Sequence, residues 1–547
     1  MKYLTRICLI GILTILISSC QTKSEVDLIV HNARIYTVDS SFSIKEAVAI
    51  KDGEFLLVGT DEEVLGRYRS NKVLDVEGGA IYPGFYDAHC HFFSLAEGIH
   101  QVNLIDVGSL EELIDRVKDF RVKYPNEQWI TGHGWDQNKW TDKQFPDNRI
   151  LSEVFTDVPV YLRRIDGHAA LANKKALELA GVDVHSQPIG GSIIQKNGEV
   201  TGVLIDNAMD LVQQKIPRPD TQHMSNMLME AEKACLAVGL TTLADAGLSI
   251  EQIDLLKKLY DEKKLTIREY AMIMLDPKSL SEILERGIYT SNELDVRSFK
   301  IVADGALGSR GACLLHPYSD AHTSGFLLQT PKTLDSVIAK VAESDFQLNI
   351  HAIGDSTNRF ILDSYMKHLN NKSNKRWRIE HAQIIAPADF QKFSMVGIVP
   401  SIQPTHATSD MNWAISRLGS ERIKGAYAYK QLLQQAGRVA IGSDFPVEDI
   451  NPIYQFHAAV ARTDKENNPS GGFQMDNALT REEALKGLTI WPAYACFQED
   501  KKGSIEKGKL ADFVLLERDI MQVDTKELRA TKVNKTWIGG KEMFSRN

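Results

Sequence analysis

Eight short strand-like runs alternate with helical stretches through the middle of this 547-residue chain. Strands that alternate with helices in this way are typical of a parallel sheet. Eight such units predict an α/β fold of the (β/α)8 TIM-barrel type, whose active site lies at the carboxyl ends of its strands. The predicted strands cover residues 85–91, 241–246, 267–273, 298–303, 348–351, 378–381, 398–402 and 439–443.

Both ends of the chain carry β-strand patterns without intervening helices, and Asp52-Gly53 is a hairpin signal between two of these strands. Neither end can bury a good core alone, so we predict one composite β-sandwich domain from 26–80 and 500–547, with the barrel at 81–499. The gap between the first two barrel strands is too long for a βα loop. We expect one ordinary crossover helix, opened by the Ser109–Glu112 capping box, and then an inserted subdomain at about 130–220.

The composition is globular, with 43% hydrophobic and 25% charged residues. A net charge of −9 is mild for this length and argues against a nucleic-acid-binding surface. The body of the chain holds Cys90, Cys235, Cys313 and Cys496, which are widely scattered. We expect free thiols and no disulfide framework.

The N-terminus has the pattern of a targeting segment. Lys2 and Arg6 introduce an apolar run that is too short to span a bilayer. The run ends in Ser18-Ser19-Cys20, which resembles a bacterial lipobox with lipid on the sulfur of Cys20. We expect a signal peptide at 1–19, a lipidated tether at 20–25 and a periplasm-facing protein anchored to a membrane of the bacterial cell envelope. An ordinary secretory signal is the alternative.

Candidate metal ligands end four of the eight predicted strands. His89 and His91 form an H-x-H pair, and residues two apart on a strand point to the same face. His351, His381 and Asp444 end the fifth, sixth and eighth strands. One such pair is a weak signal, but four coincidences at strand carboxyl ends indicate a metal site built from imidazole and carboxylate groups.

The fourth strand carries Lys300 inside an apolar run. A buried, unpaired ammonium is costly, so this residue needs an explanation. Carboxylation by CO₂ would make it a carbamate, an anion able to bridge two metal ions. The alternatives are an ion pair with Asp304 or Asp245, or a side chain that reaches out of the barrel.

This set of residues resembles the amidohydrolase superfamily. Segments 164–168, 190–193 and 299–310 are similar to its YtcJ-like branch, amidohydrolase family 3, which includes N-substituted formamide deformylases. The likeness runs from Val26 to Phe544. It implies a metal-dependent barrel with a composite β-sandwich and an insertion after the first strand, in agreement with the reading above.

The resemblance also implies roles for individual residues. His89 and His91 would bind the more buried of two divalent ions, and His351 and His381 the second, with carboxylated Lys300 between them. Zinc is the default metal for such nitrogen and oxygen ligands, with iron and manganese left open.

Asp444 would contact the first ion and act as the proton shuttle, which makes Asp444 and His381 the candidate catalytic residues. The metals would lower the pKa of a bridging water to ~7 and polarise the scissile carbonyl. The expected reaction is hydrolysis of a C–N bond other than a peptide bond, in an amide, an N-substituted formamide or a cyclic amide.

Other residues have weaker support as pocket residues. Arg310, Trp135 and the pair Asp166 and His168 are candidates for substrate binding, and the insertion would roof the pocket. For each, a structural salt bridge, a turn or core packing is the alternative. His406, after the seventh strand, is a further candidate for reaching substrate.

Two other functions remain open at this point. One is a mononuclear deacetylase or isomerase on the same barrel, and the other is a non-catalytic lipoprotein that binds a solute. An intact ligand set argues against the second, since a binding protein does not need it. The expected partner is a small amide-type molecule, with no nucleic acid, membrane contact only through the lipid, and a homodimer left open.

Overall fold

The computed structural model describes residues 23–137, 140–164, 169–188, 191–206, 208–276, 280–308, 310–369 and 373–546. Its centre is a sheet of eight parallel strands that follow one another in chain order. They are β1 (Phe85–Cys90), β2 (Leu240–Leu248), β3 (Arg268–Met274), β4 (Leu294–Val302), β5 (Gln347–Ala352), β6 (Arg378–His381), β7 (Val399–Ile402) and β8 (Ala440–Ile441). The predicted TIM barrel is confirmed.

Two strands differ in length from the prediction because of their neighbours. β4 begins earlier, since its first half also pairs with the antiparallel strand Tyr289–Thr290. β8 is shorter because the residues after it form hydrogen bonds with β1. We call this closure of the barrel between β8 and β1 the seam. There the amide of Asp444 donates to the carbonyl of His89 at 2.7 Å.

Glycine is required at this seam. A Cβ atom at Gly442 would lie 2.4 Å from the backbone nitrogen of His89, so no larger residue allows the chain to pass so closely. Asp87 completes the seam by accepting hydrogen bonds from the amides of His89 and Ser443, both at 3.0 Å. Burial raises the pKa of the Asp87 carboxyl to about 7, although these hydrogen bonds oppose the shift.

Helices cover the outside of the barrel, and their apolar faces pack against it, as the alternating pattern predicts. Their bounds are Phe92–Ile99, Thr221–Ala237, Ile250–Asp261, Leu280–Arg286, Pro331–Ala342, Asp355–Leu369, Lys392–Met395, Pro404–Arg422, Tyr429–Ala436, Pro452–Ala461, Arg481–Gly487 and Ile490–Ala495.

Two further sheets form the predicted composite domain, and the first of them combines strands from both ends of the chain. One sheet has the strand order Lys541–Ser545, Val533–Ile538, Phe513–Leu516, Ala80–Pro83, Arg34–Tyr36, Ile44–Lys45. The other has the order Glu54–Gly59, Ala47–Lys51, Leu28–His31, Val73–Asp75, and helix Asp61–Arg67 follows its first strand.

Apolar side chains of the two sheets form one core, in which Phe55 of one sheet meets Phe513 of the other at 6.0 Å between ring centroids. The predicted hairpin turn is present, because Asp52 and Gly53 both have positive φ and Lys51 pairs with Glu54. Ala80–Pro83 lies across the predicted boundary at residue 80 and pairs within the composite sheet.

The insertion is built on a sheet with the order Val102–Asn103, Ile130–Trp135, Val160–Arg164, Ala169–Ala172, Glu199–Asp206, Gly191–Lys196. Its helices are Leu110–Lys123, Arg149–Val154, Lys174–Ala180 and Asp210–Gln213.

The insertion starts earlier than the sequence suggested. Leu110–Lys123, which we expected to be an ordinary crossover helix, packs Leu113 and Val117 into the core of the insertion together with Ile130. Its N-cap Ser109 accepts from the amide of Glu112, but the Glu112 carboxylate turns to the amide of Gly108 and leaves the capping box half formed. A helix pattern does not reveal which sheet the helix covers, and this explains the error.

The four cysteines of the body are free thiols, as expected, and three of them are buried. In the described ranges, no helix is long and apolar enough to cross a bilayer.

Candidate metal centre

The end of β1 places His89 and His91 side by side at the mouth of the barrel. Their ring centroids lie 5.5 Å apart. One carboxylate oxygen faces both rings, because Oδ1 of Asp444 lies 3.0 Å from Nε2 of His91 and 3.6 Å from Nε2 of His89. These three groups form one cluster that could hold a metal ion.

The fifth and sixth strands bring two more rings to the same point. His381 lies 4.5 Å from His351 and 4.9 Å from His89 between ring centroids. Nδ1 of His381 is 2.8 Å from Oε1 of Gln403, which leaves Nε2 free to bind. Nε2 of His351 is buried and has no hydrogen-bond partner among the described residues.

His406 joins the cluster from the start of helix Pro404–Arg422. Its ring stacks on that of His381 at 6.0 Å, and its Nε2 lies 3.7 Å from Oδ2 of Asp444. Within the described part of the chain, this Nε2 atom is buried without a hydrogen bond. His381, His406 and Asp444 are therefore a second group able to hold an ion, and both groups contain Asp444.

Lys300 points into the barrel and not out of it. Its Nζ lies 3.0 Å from Nε2 of His89, and burial lowers the pKa of the ammonium to about 8 against the nearby negative charges. Neither Asp304 nor Asp245 forms an ion pair with it in the described part of the chain. Asp304 instead accepts hydrogen bonds from the amides of Ile353 and Gly354.

Two buried residues of β6 support the centre and were missed by the sequence reasoning. The Glu380 carboxylate contacts Nδ1 of His89 directly and forms an ion pair with Arg378 at 2.7 Å. A carboxylate on one imidazole nitrogen orients the other nitrogen toward a metal. A signal for this pair existed, since opposite charges alternate with an apolar residue on the Arg378-Ile379-Glu380 strand.

The electrostatics favour neutral rings and an ionised carboxylate. Burial and the charge of Lys300 lower the pKa of His89 to about 4. Burial also holds the pKa values of His351 and His381 well below their usual range. For Asp444 burial raises the pKa, but the hydrogen bond with His91 and the neighbouring histidines outweigh it and hold the pKa well below normal.

The backbone is strained at two of these site residues. His381 has a φ of +72° and Asp444 a φ of +64°. A residue in this region costs about 1–3 kcal/mol and persists only where the surrounding structure holds it there. Such strain is common at functional sites, so it agrees with a working centre at this end of the barrel.

The other candidate residues lie elsewhere. Trp135 is fully buried in the core of the insertion, where its Nε1 donates to the carbonyl of Leu162 at 2.8 Å. The structure therefore places it in core packing and not in a pocket wall. Arg310 forms a bidentate ion pair with Asp320, which is the structural alternative for that residue. Asp166 and His168 fall outside the described residues.

The residues present fit a divalent metal. Neutral imidazole nitrogens and an ionised carboxylate are the donors that zinc, iron and manganese accept. No described residue forms a hydrogen bond with the buried Nε2 atoms of His351 and His406, and a buried polar atom without a partner is costly unless something binds it. Nδ1 of His89 and of His381 are held by oxygen atoms, as in metal-binding histidines.

Comparison with known proteins agrees with the resemblance inferred from the sequence. A profile described as the Amidohydrolase family matches residues 72–544. The chain is 30% identical to the YtcJ amidohydrolase of Bacillus subtilis, with 94% of this chain and 99% of that protein covered. It is 27% identical to the N-substituted formamide deformylase of Arthrobacter pascens, covering 95% and 98%.

Other similarities extend beyond bacteria. The protein LONG AFTER FAR-RED 3 of Arabidopsis thaliana is 34% identical, with 95% of this chain and 91% of that protein covered. Among solved structures, an uncharacterized metal-dependent hydrolase from Pyrococcus horikoshii superimposes with a TM-score of 0.74 at 26% identity, over 91% and 99% of the two chains.

The resemblance inferred from the sequence is thus confirmed. The profile covers most of the chain, and the relatives align with it almost from end to end. The chain belongs to the amidohydrolase family and is a metal-dependent hydrolase that acts on C–N bonds.

Proposed function

We propose that this protein hydrolyses the C–N bond of a small amide, with N-substituted formamides and cyclic amides as the substrates to test first. One observation carries the proposal: five histidines and the ionised Asp444 converge at the carboxyl end of the barrel, and among the described residues Nε2 of His351 and of His406 has no hydrogen-bond partner. The similarity to a formamide deformylase over nearly the whole chain supports the choice of substrate class.

Asp444 has the position and charge of a proton shuttle. As an ionised carboxylate it accepts a proton from the attacking water, whose oxygen forms the new bond to the carbonyl carbon. Asp444 then delivers that proton to the nitrogen as the C–N bond breaks, which yields an amine and a carboxylic acid. A divalent ion in this site supplies Lewis acidity, which polarises the carbonyl and lowers the pKa of water. His89, His91, His351 and His381 would hold it.

The test is a substrate panel with purified enzyme. We expect turnover of N-substituted formamides, N-acyl amines or cyclic amides, loss of turnover after treatment with a chelator, and recovery when zinc is added back. If no amide is turned over by metal-loaded enzyme, the hydrolytic assignment fails for this substrate class. Turnover with substrate and product of the same composition would favour the isomerase alternative instead.

We further propose a binuclear centre bridged by a carboxylated Lys300. Lys300 faces the ring of His89 in the interior of the barrel, and an ammonium there would repel a cation. As a carbamate, the same side chain becomes a ligand. We predict two divalent ions per catalytic centre and carbamate density on Lys300 in a crystal structure of metal-loaded enzyme. An unmodified Lys300 beside one fully occupied ion would exclude this form and leave the mononuclear alternative.

The lipid anchor is a separate proposal, and Cys20 falls outside the described residues. We predict that Cys20→Ala releases the protein from membranes, since the lipid on that sulfur is the proposed attachment. Fractionation of cells expressing the natural and the variant protein measures this. Retention of the variant in the washed membrane fraction would show an uncleaved signal or another attachment.

A further inference from the structure

We propose a second metal site, separate from the barrel centre, formed by His100, Glu127 and His223 and suited to Zn²⁺. The three residues offer two imidazole nitrogens and one carboxylate oxygen, and these atoms lie within 4.8 Å of one another. Two histidines and a glutamate are a ligand set that binds zinc in proteins. No residue of the barrel centre takes part.

The spacing of the donor atoms fits a tetrahedral ion. Oε1 of Glu127 lies 2.9 Å from Nδ1 of His100 and 3.1 Å from Nε2 of His223. Zinc–nitrogen bonds of ~2.0–2.1 Å place neighbouring ligands about 3.3 Å apart in a tetrahedron. A small outward shift of each side chain would therefore accommodate the ion. In the described part of the chain, the Glu127 carboxylate has ion pairs only with these two rings.

The second nitrogen of His100 supports the same conclusion. Nε2 is buried and lies 3.2 Å from Oε2 of Glu230, but it is not aligned for a hydrogen bond. A neutral imidazole carries one N–H, so it cannot donate to Glu127 and Glu230 together. With a cation on Nδ1, the single N–H is on Nε2, 3.2 Å from the Glu230 carboxylate, and a small reorientation of the ring would let it donate there, as metal-binding histidines do. The competing solution is a protonated His100 without metal.

Glu230 is itself held in place, because it accepts a hydrogen bond from Tyr124 at 2.6 Å and lies 3.3 Å from Nζ of Lys123. Lys123 is the last residue of helix Leu110–Lys123 in the insertion and Tyr124 follows it, whereas Glu230 belongs to the barrel helix Thr221–Ala237. The surroundings of His100 are therefore built from both parts of the protein.

The ligands come from three segments, of which two flank the insertion and one lies inside it. His100 ends helix Phe92–Ile99, which begins directly after the metal-binding end of β1. Glu127 follows helix Leu110–Lys123 of the insertion. His223 lies in the first turn of Thr221–Ala237, where the chain returns to the barrel. An ion here would tie the insertion to the barrel wall. A cavity of about 910 Å³ is lined by all three ligands and gives water room to complete the coordination.

The test compares zinc content and affinity in the purified holoenzyme. We expect His223→Ala and Glu127→Gln to bind one zinc equivalent per chain fewer than the natural protein, by mass spectrometry of metals after removal of loose ions. Chelator competition should detect the additional site in the natural protein and not in these two variants, and Glu230→Gln should weaken it by about 10–100-fold. His185→Ala, an exposed histidine of the insertion, is the matched control and should retain the full zinc content.

Added zinc should also raise the thermal midpoint of the chelator-treated natural protein and of His185→Ala by more than that of the ligand variants, because an ion bound only to the folded state stabilises it. Circular dichroism tests whether each variant is folded. If His223→Ala does not fold, Glu127→Gln is the variant on which the comparison rests. Equal zinc content and equal zinc-induced shifts in all four variants and the natural protein would overturn the proposal and assign the cluster to a protonated His100.

Discussion

Replacing Asp444 by asparagine should lower kcat by about 10²–10⁴-fold, the range in which general acid–base groups contribute. Asparagine keeps the shape of the side chain but cannot accept and return a proton at neutral pH. Because the lost interaction belongs to the transition state, kcat and kcat/KM should fall together while KM changes little. Kinetics on an amide identified in the substrate panel measure this.

The metal content of this variant should remain largely intact. The four histidines proposed as ligands are unchanged, and the amide oxygen of asparagine would occupy the position of the carboxylate oxygen that lies 3.0 Å from His91. Asp449→Asn is the matched control, since Asp449 is exposed in the loop that follows. Near-normal turnover of Asp444→Asn would remove this residue from the mechanism, whereas loss of the metal would assign it a mainly ligating role.

Replacing Glu380 by glutamine should destabilise the folded protein and weaken metal binding at the same time. Glu380 is fully buried and is the counterion of Arg378, which is also fully buried. Removing one partner of a buried ion pair costs about 3–5 kcal/mol, because the remaining charge is uncompensated. The same change removes the carboxylate that orients His89, which should lower metal affinity by about 10–100-fold.

Two measurements separate these effects. The denaturation midpoint of metal-free protein reports the loss of the ion pair, and chelator competition on folded protein reports the orientation of His89. Glu421→Gln is the control, because the one ion pair of Glu421 in the described ranges is an exposed pair with Lys424 and such pairs contribute little. If Glu380→Gln unfolded at the same denaturant concentration as Glu421→Gln and held metal equally well, the supporting role of Glu380 would be refuted.

The barrel and most of its candidate ligands could be predicted because both depend on local patterns. The periodicity of strands and helices depends on residues a few positions apart in the chain, and parallel barrel strands all end at one face of the barrel. His89, His351, His381 and Asp444 were therefore predicted to converge, and their side chains do lie together. The closure of the barrel between β8 and β1 could be predicted as well, because strand order around a (β/α)8 barrel follows chain order.

Contacts between distant segments could not be predicted in the same way. The sequence shows that Arg378 and Glu380 share a strand face, but only the packed barrel brings Glu380 to His89, 291 residues away in the chain. For Trp135 the sequence allowed a pocket wall or core packing, and the structure places it in the core of the insertion.

Local pattern thus settled the strands, the hairpins and the ends at which the ligands lie, because these depend on residues a few positions apart. The tertiary structure decided which buried charges pair, where the insertion begins, and that His100, Glu127 and His223 meet. Pairing of this kind depends on how whole elements pack against one another, and a side chain carries no local signal of its partner across that distance.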